Sequence, residues 1–182
     1  GTGKTWLKVP ETIKFVLNGK LPKTMMAKDL ILYMIGEIGF DGATYCAMEF
    51  EGEAVDALSM DERMTMCNMA IEAGGKSGVI AADEKTLEYV KARTDKEYKI
   101  FKSDADATYK AVYEIDVSKL EPFVAAPSAP DKRQAVSAID LRQLKYLPNI
   151  EIIHLRATSY LPEAEIDKLS TRLLGVLVQK QP

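Results

Sequence analysis

The most regular alternation of apolar and polar positions lies between Ser59 and Gly75. An apolar stripe there has the spacing i, i+4, i+7, i+11, which is typical of one face of an α-helix. Its members are Met60, Met64, Cys67 and Ile71. The flanking positions are apolar as well, and they are Met66, Met69, Ala70 and Ala73. The pattern therefore predicts a short helix that is buried on most sides.

Both ends of this helix carry boundary signals. Ser59, followed three residues later by Glu62, predicts a capping box at the first turn. Gly74 and Gly75 predict a stop at the other end, because glycine readily adopts the positive φ that ends a helix. The sequence therefore predicts that the helix occupies little more than the residues between these two signals.

A polar stripe with helical spacing crosses this apolar background. Its members are Asp61, Thr65, Asn68 and Glu72. Asn68 and Glu72 are four residues apart, so they face the same way on a helix. A buried carboxylate without partners costs several kcal/mol. We therefore expect Glu72 to face polar partners or a wet cavity.

Strands and helices alternate over the rest of the chain. Strands are predicted at residues 6–9, 13–17, 44–50, 78–82, 109–117 and 150–155. Helices are predicted at residues 27–38, 83–93, 136–145 and 162–180. We expect Asn18-Gly19 to close a hairpin-like unit made of the first two strands. The order of elements predicts an α/β fold, a layered sheet with flanking helices.

A proline-rich stretch at residues 121–131 predicts an extended connector. We therefore expect an α/β domain segment at residues 1–131 and a strand-helix segment of different character at residues 132–182. These lengths suit one domain or two small ones in a chain of 182 residues.

Composition narrows the class of protein. The chain is 47% hydrophobic, enough for a core, and its net charge of −3 argues against binding nucleic acid. It contains no run of 18 apolar residues and no signal-peptide pattern, so we expect no membrane span and a cytoplasmic location. Two cysteines are too few for a disulfide framework. Cys46 and Cys67 are interpreted as small core residues in a reducing compartment.

Four other features of the sequence are candidates for phosphate, metal or catalytic sites. Gly3-Lys4-Thr5 imitates the end of a P-loop, but the sequence predicts a strand next instead of the required helix. Asp104 and Asp106 are interpreted as surface turn residues, because no calcium-binding loop follows them. His154, the only histidine, is interpreted as structural. Glu49 lies inside a predicted strand, and two readings stay open: an edge or rim residue, or a partner of catalytic groups.

The helix at residues 59–75 also carries a resemblance. Its Cys67–Gly74 segment resembles the N-M-x-x-E-x-G segment of the aconitase family. Further blocks, in order, are similar to the 3-isopropylmalate dehydratase branch of that family, in its large subunits. They are Gly3–Ile13, Ala27–Leu32, Asp41–Thr44, Met48–Phe50 and Leu58–Thr65. The resemblance covers roughly residues 1–130, and it rests on the ordered series more than on any single block.

The resemblance implies a hydro-lyase that isomerises a hydroxy acid by removing and re-adding water. The family uses a [4Fe-4S] cluster, held by three cysteines, as a Lewis acid. Asn68 would hydrogen-bond beside the cluster, and Glu72 would orient the water or hydroxyl there or take its proton. A small swivel-domain subunit is the implied partner. Isopropylmalate leads as the substrate, in leucine biosynthesis, with homoaconitate, citrate and methylmalates as alternatives.

The chain also departs from the family pattern. The Gly-Ser-Cys-Thr-Asn segment and the later Cys-x-x-Cys pair, which supply the cluster cysteines, are both absent. We therefore expect an internal segment of a large subunit that on its own holds no cluster and turns over no substrate. The alternative from another class is a non-catalytic scaffold domain with the aconitase-like layers and no site.

Overall fold

In the computed structural model, the described residues are 1–125, 131–138, 152–156 and 177–181. Two compact units are present, Gly1–Val136 and Ser137–Pro182. The strands are β1 (Glu11–Asn18), β2 (Cys46–Glu51), β3 (Ser77–Ile80), β4 (Ala111–Asp116), β5 (Phe123–Ala125), β6 (Arg133–Ala135), β7 (Ile152–Arg156) and β8 (Leu177–Gln181). The α-helices are α1 (Ala27–Ile38), α2 (Glu53–Ala57), α3 (Met60–Met69) and α4 (Glu84–Lys91). Short 3₁₀ turns occupy Ala70–Ala73, Val117–Lys119 and Val136–Ala138.

The first unit is built on a parallel four-stranded sheet with the order β3-β2-β1-β4. β1 pairs with β2 from Glu11↔Cys46 onward and with β4 from Ile13↔Ala111 onward. Helices connect these strands, as parallel pairing requires a crossover. The parallel sheet with flanking helices confirms the predicted α/β class.

The core lies between the two central strands and helices α1 and α3. Ile13, Phe15 and Leu17 alternate along β1, and all three are buried. α1 spans the predicted residues 27–38, and its buried face consists of Ala27, Leu30, Ile31, Met34 and Ile35. The period of two in the strand and of 3.6 in the helix explains why sequence patterning located both elements.

The predicted hairpin-like unit is wrong. Residues 6–9 form no strand, and β1 pairs in parallel with β2 and β4 instead of folding back on a neighbour. Their apolar side chains are not part of the core among the described residues, since Trp6, Leu7 and Val9 are each more than 80% exposed. The physical reason is that α1 follows β1 and carries the chain across the sheet, which makes the next strand parallel.

The second unit departs from prediction at its end. β7 agrees with the predicted strand at 150–155, but residues 177–181 form strand β8 where a helix to residue 180 was predicted. β8 pairs in parallel with β7, from Ile152↔Leu177 to Arg156↔Gln181. The apolar residues at the start of this segment suit a helix as well as a strand, and pairing with β7 makes it a strand. Residues 157–176 and 139–145, which held most of the two predicted helices, lie outside the described residues.

No helix in the described ranges is long and apolar enough to cross a membrane.

Candidate functional site

Helix α3 is fixed at its start by the predicted capping box. The Ser59 hydroxyl accepts from the Glu62 backbone N–H at 3.3 Å, and the Ser59 N–H donates to the Glu62 carboxylate at 2.8 Å. The Ser59 hydroxyl also donates to the Glu62 carboxylate at 2.8 Å. The bonds that the Ser59 backbone N–H and hydroxyl donate to this carboxylate lower the pKa of Glu62, although its partial burial opposes them. The backbone N–H of each residue is therefore bonded to the side chain of the other, which confirms the predicted capping box.

A buried ion pair ties α3 to α4. Arg63 is only 3% exposed, and its guanidinium donates to both carboxylate oxygens of Asp83 at 2.7 and 2.6 Å. Asp83 also caps α4, because it accepts from the Thr86 backbone N–H at 3.0 Å. One carboxylate thus positions two helices. The predicted start of a helix at residue 83 agrees with this cap. The burial of Arg63 was not predicted, because a charged residue in an amphipathic pattern ordinarily lies on the solvent side.

The predicted apolar stripe of α3 is wrong, and so is its burial on most sides. Met64 is 43% exposed and Ile71 is 66% exposed. The buried face consists instead of Arg63, Met66, Ala70 and Ala73. The reason is that the bidentate pair permits Arg63 to be buried, while two small alanines permit close approach to the sheet. Met64 and Ile71 therefore lie on the outer face, whereas Met66 is buried.

The carboxyl end of α3 is clamped to the start of β2. The helix tightens into the 3₁₀ turn Ala70–Ala73, and Gly74 follows with φ +79°. The N–H of Ala43 donates to the carbonyl of Ala73 at 2.9 Å, and the N–H of Tyr45 donates to that of Gly74 at 3.3 Å. Gly74 is the predicted stop, whereas Gly75 does not adopt positive φ. Tyr45 is itself at φ +60°, a conformation that non-glycine residues rarely adopt.

We expect Gly74→Ala to destabilise this clamp by about 1–3 kcal/mol. A Cβ at Gly74 would lie 2.7 Å from the Thr44 hydroxyl and 3.2 Å from the Thr44 Cα, in addition to the strain of positive φ. Gly39→Ala is the matched control, because Gly39 also has positive φ, at +85°, but a Cβ there would come no closer than 3.5 Å to the Asp41 carboxylate. Urea unfolding measures both variants, and equal losses would contradict the steric contribution.

The predicted pair Asn68 and Glu72 lies at this clamped end, and both residues are exposed. The 3₁₀ turn advances about 120° per residue instead of 100°, so Glu72 is rotated further around the axis than α-helical spacing predicts. Neither side chain has a hydrogen-bond partner among the described residues. Among the described residues, Glu72 therefore faces solvent and not the polar partners that were one of the two expected surroundings. Instead, Asn68 and Glu72 share an outward surface with Met64 and Ile71.

Glu49 lies on the face of the sheet that is opposite to α3. It accepts from Ser103 Oγ at 2.8 Å and from the Tyr109 hydroxyl at 3.1 Å, and Lys14 lies 3.9 Å away. α3 packs on the opposite face, where a Cβ at Gly78 would meet both Cys67 and Phe50. Because side chains alternate along β2, Glu49 points away from Phe50 and from α3. Of the expected edge or rim position, the edge is wrong, since β2 is an inner strand, while the rim stays a prediction. The structure does not bring Glu49 to Asn68 and Glu72.

The two cysteines do not fit a three-cysteine cluster. Cys46 is buried, and burial raises the pKa of the Cys67 thiol, which favours the protonated form over the thiolate that binds iron. The described ranges contain no group of three or more His, Cys, Asp or Glu side chains placed to hold a metal ion.

Asp104 and Asp106 are exposed, and they lie in a turn at residues 104–107 in which the Ala107 N–H donates to the Asp104 carbonyl. His154 lies in β7 opposite Gln179.

The P-loop-like start holds no helix. Residues 1–10 adopt neither helix nor strand and are largely exposed. The sequence did not predict two features of the clamped end. They are the positive φ of Tyr45 and the lysines around its ring. Lys76 Nζ lies 4.5 Å and Lys8 Nζ 5.8 Å from the Tyr45 ring centroid. Lysines 68 positions apart carry no local signal that they share one ring.

Comparison with known proteins supports the motif reading. The chain matches the model of the aconitase family (aconitate hydratase) over residues 1–165. It is 58% identical over 135 residues to the 3-isopropylmalate dehydratase large subunit of Heliobacterium modesticaldum, covering 74% of this chain and 32% of that protein. The large subunits of Hydrogenobaculum sp. and Aquifex aeolicus are 59% and 57% identical over 136 residues, covering 75% of this chain and 32% of each relative.

The chain thus spans about a third of the length of the curated relatives it matches. The family match extends past residue 131, into the predicted strand-helix segment at residues 132–182. A match over most of the chain, together with identity well above half to named members, leads to one conclusion: this chain belongs to the aconitase family.

Proposed function

We propose that this chain is part of the large subunit of a 3-isopropylmalate dehydratase. It would contribute Asn68 and Glu72 to a site completed by other parts of the protein. The observation that supports the proposal is the exposure of an amide and a carboxylate together with two apolar side chains at the end of α3. Met64 and Asn68 are exposed on the helix, and Ile71 and Glu72 are exposed on the clamped turn that follows it. Exposed apolar side chains around polar groups are typical of a surface that another element covers.

The chemistry follows from the residue types. Dehydration followed by rehydration at the neighbouring carbon interconverts 2- and 3-isopropylmalate, and each step needs a group that holds or moves a proton. The Glu72 carboxylate accepts a hydrogen bond from water or a substrate hydroxyl and can take its proton. The Asn68 amide both donates and accepts hydrogen bonds, so it orients its neighbours without changing charge. Covering Met64 and Ile71 would exclude bulk water from both groups.

The [4Fe-4S] cluster of the family would supply Lewis-acid chemistry and would be held by cysteines outside this chain, since Cys46 and Cys67 do not fit that role. A small subunit is the proposed partner, in keeping with the large-subunit names of the relatives. The proposed pathway is leucine biosynthesis, in the cytoplasm. Homoaconitase or aconitase activity is the alternative within the same family.

A chimera tests the proposal. The aligned stretch of the Aquifex aeolicus large subunit, to which this chain is 57% identical, is replaced by the matching residues of this chain and co-expressed with the Aquifex small subunit. We expect isomerisation of 3-isopropylmalate within about tenfold of the parent enzyme. A folded, cluster-loaded chimera without turnover would contradict the proposal and favour the scaffold reading.

A further inference from the structure

Three lysines meet at the amino end of the parallel sheet, around Tyr45 and Cys46. Lys76 and Lys8 place their ammonium groups at the Tyr45 ring, 4.5 and 5.8 Å from its centroid. Lys110 Nζ lies 3.4 Å from Cys46 Sγ. They come from three separate segments, which precede β1, β3 and β4. We call Lys8, Lys76 and Lys110 the Tyr45 lysine cluster.

The cluster has no carboxylate ion pair within the described ranges. Lysines nearer the carboxyl end of the sheet do have one: Lys14 pairs with Glu51 at 2.8 Å, and Lys119 pairs with Asp116 at 2.8 Å. Glu11 begins β1 at the same end as the cluster, yet it forms no ion pair with these lysines. Positive charge at the amino end is therefore left uncompensated by the part of the protein that the structure describes.

The geometry concentrates this charge. Because Lys8 and Lys76 share one ring, their ammonium nitrogens are at most about 10 Å apart, which is about one Debye length at 0.1 M salt. At that separation salt partly screens the repulsion between the two charges, and an anion bound at this end of the sheet lowers it further. The aromatic face holds each cation in place. The backbone that carries the ring is held in place, since the Tyr45 N–H donates to the Gly74 carbonyl in a conformation with positive φ.

The cluster adjoins the turn that carries Glu72. The 3₁₀ turn Ala70–Ala73 and Gly74 are hydrogen-bonded to Ala43 and Tyr45, so the lysines and the proposed catalytic carboxylate share one backbone junction. We infer that the Tyr45 lysine cluster binds a carboxylate of the dicarboxylate substrate and holds it at the end of the site next to Glu72. The inference rests on the proposed function for the identity of the anion.

Direct binding tests the inference without turnover. 3-Isopropylmalate is titrated at low ionic strength into the purified chimera with its small subunit, prepared without the iron that turnover needs, and the heat of binding is measured. We expect Lys8→Met/Lys76→Met to weaken binding about tenfold, because two exposed charge contacts to the anion are lost. Lys119→Met is the matched control, a lysine removed from beyond the carboxyl end of β4, and it should bind like the parent chimera. Circular dichroism checks that the variants retain the parent fold.

Several outcomes would overturn the inference. One is equal affinity of the parent chimera and the double variant, and another is no saturable binding by the parent chimera. A third is equal affinity for 3-isopropylmalate and for N-acetylglutamate amide, which mimics a protein side chain and would assign the cluster to a protein contact. These outcomes are separate from the proposed function, because the chimera reports turnover. An active chimera with an unchanged KM in the double variant would leave that function standing.

Discussion

In the active chimera, Glu72→Gln should lower the turnover of 3-isopropylmalate by roughly 100- to 10,000-fold, the usual contribution of a general acid or base. Glutamine keeps the size and much of the hydrogen bonding of Glu72 but cannot take a proton at neutral pH. Glu72 is exposed in this chain, so the substitution disturbs no packing in the described part. Initial rates with matched protein and iron content measure the effect.

The control for this variant is Glu88→Gln, the same chemical change at an exposed position of α4. It should leave turnover within about twofold of the parent chimera, as surface substitutions away from special features are usually tolerated. If Glu72→Gln also stays within that range while the iron content is unchanged, Glu72 has no proton-transfer role. Asn68→Ala in the same background then shows whether the face contributes at all.

Asp83→Asn should lower the free energy of unfolding of the chain by about 3 kcal/mol, the lower end of the range for breaking a buried ion pair. The substitution leaves the Arg63 guanidinium, which is 3% exposed, without its counter-charge. The lower end applies because the Asp83 side chain is 35% exposed and water moderates the loss. Urea unfolding at pH 7 measures it, with the exposed Asp95→Asn as the control expected to be nearly neutral.

The same pair predicts a dependence on acid. Hydrogen bonds from Arg63, and further ones from Thr86, hold the pKa of Asp83 well below its usual range despite the opposing effect of partial burial. A carboxylate whose pKa is lowered by folding stabilises the protein above its unfolded pKa of about 3.9 and loses that contribution as the pH falls. The difference between parent and Asp83→Asn should therefore shrink from about pH 5 downward. A difference that stays constant to pH 3 would contradict the ion pair as its source.

Local patterning predicted much of the fold correctly. The helix at Ala27–Ile38, the cap of α3 at Ser59 and the alternation through Ile13, Phe15 and Leu17 all appear in the structure. Each depends on neighbours within about one helical turn or a few strand residues, so the sequence contains the whole signal. The family resemblance likewise depends on short ordered blocks.

The sequence by itself therefore determined the α/β class, the family and the identity of Asn68 and Glu72 as a candidate pair. Only the tertiary structure decided which face of α3 is buried, because the burial of Arg63 depends on Asp83, twenty residues away. It likewise decided that β1 pairs in parallel, that residues 177–181 form a strand, and that Lys8 and Lys76 share the Tyr45 ring. Such contacts join distant positions, and local spacing carries no information about which distant partner a side chain will meet.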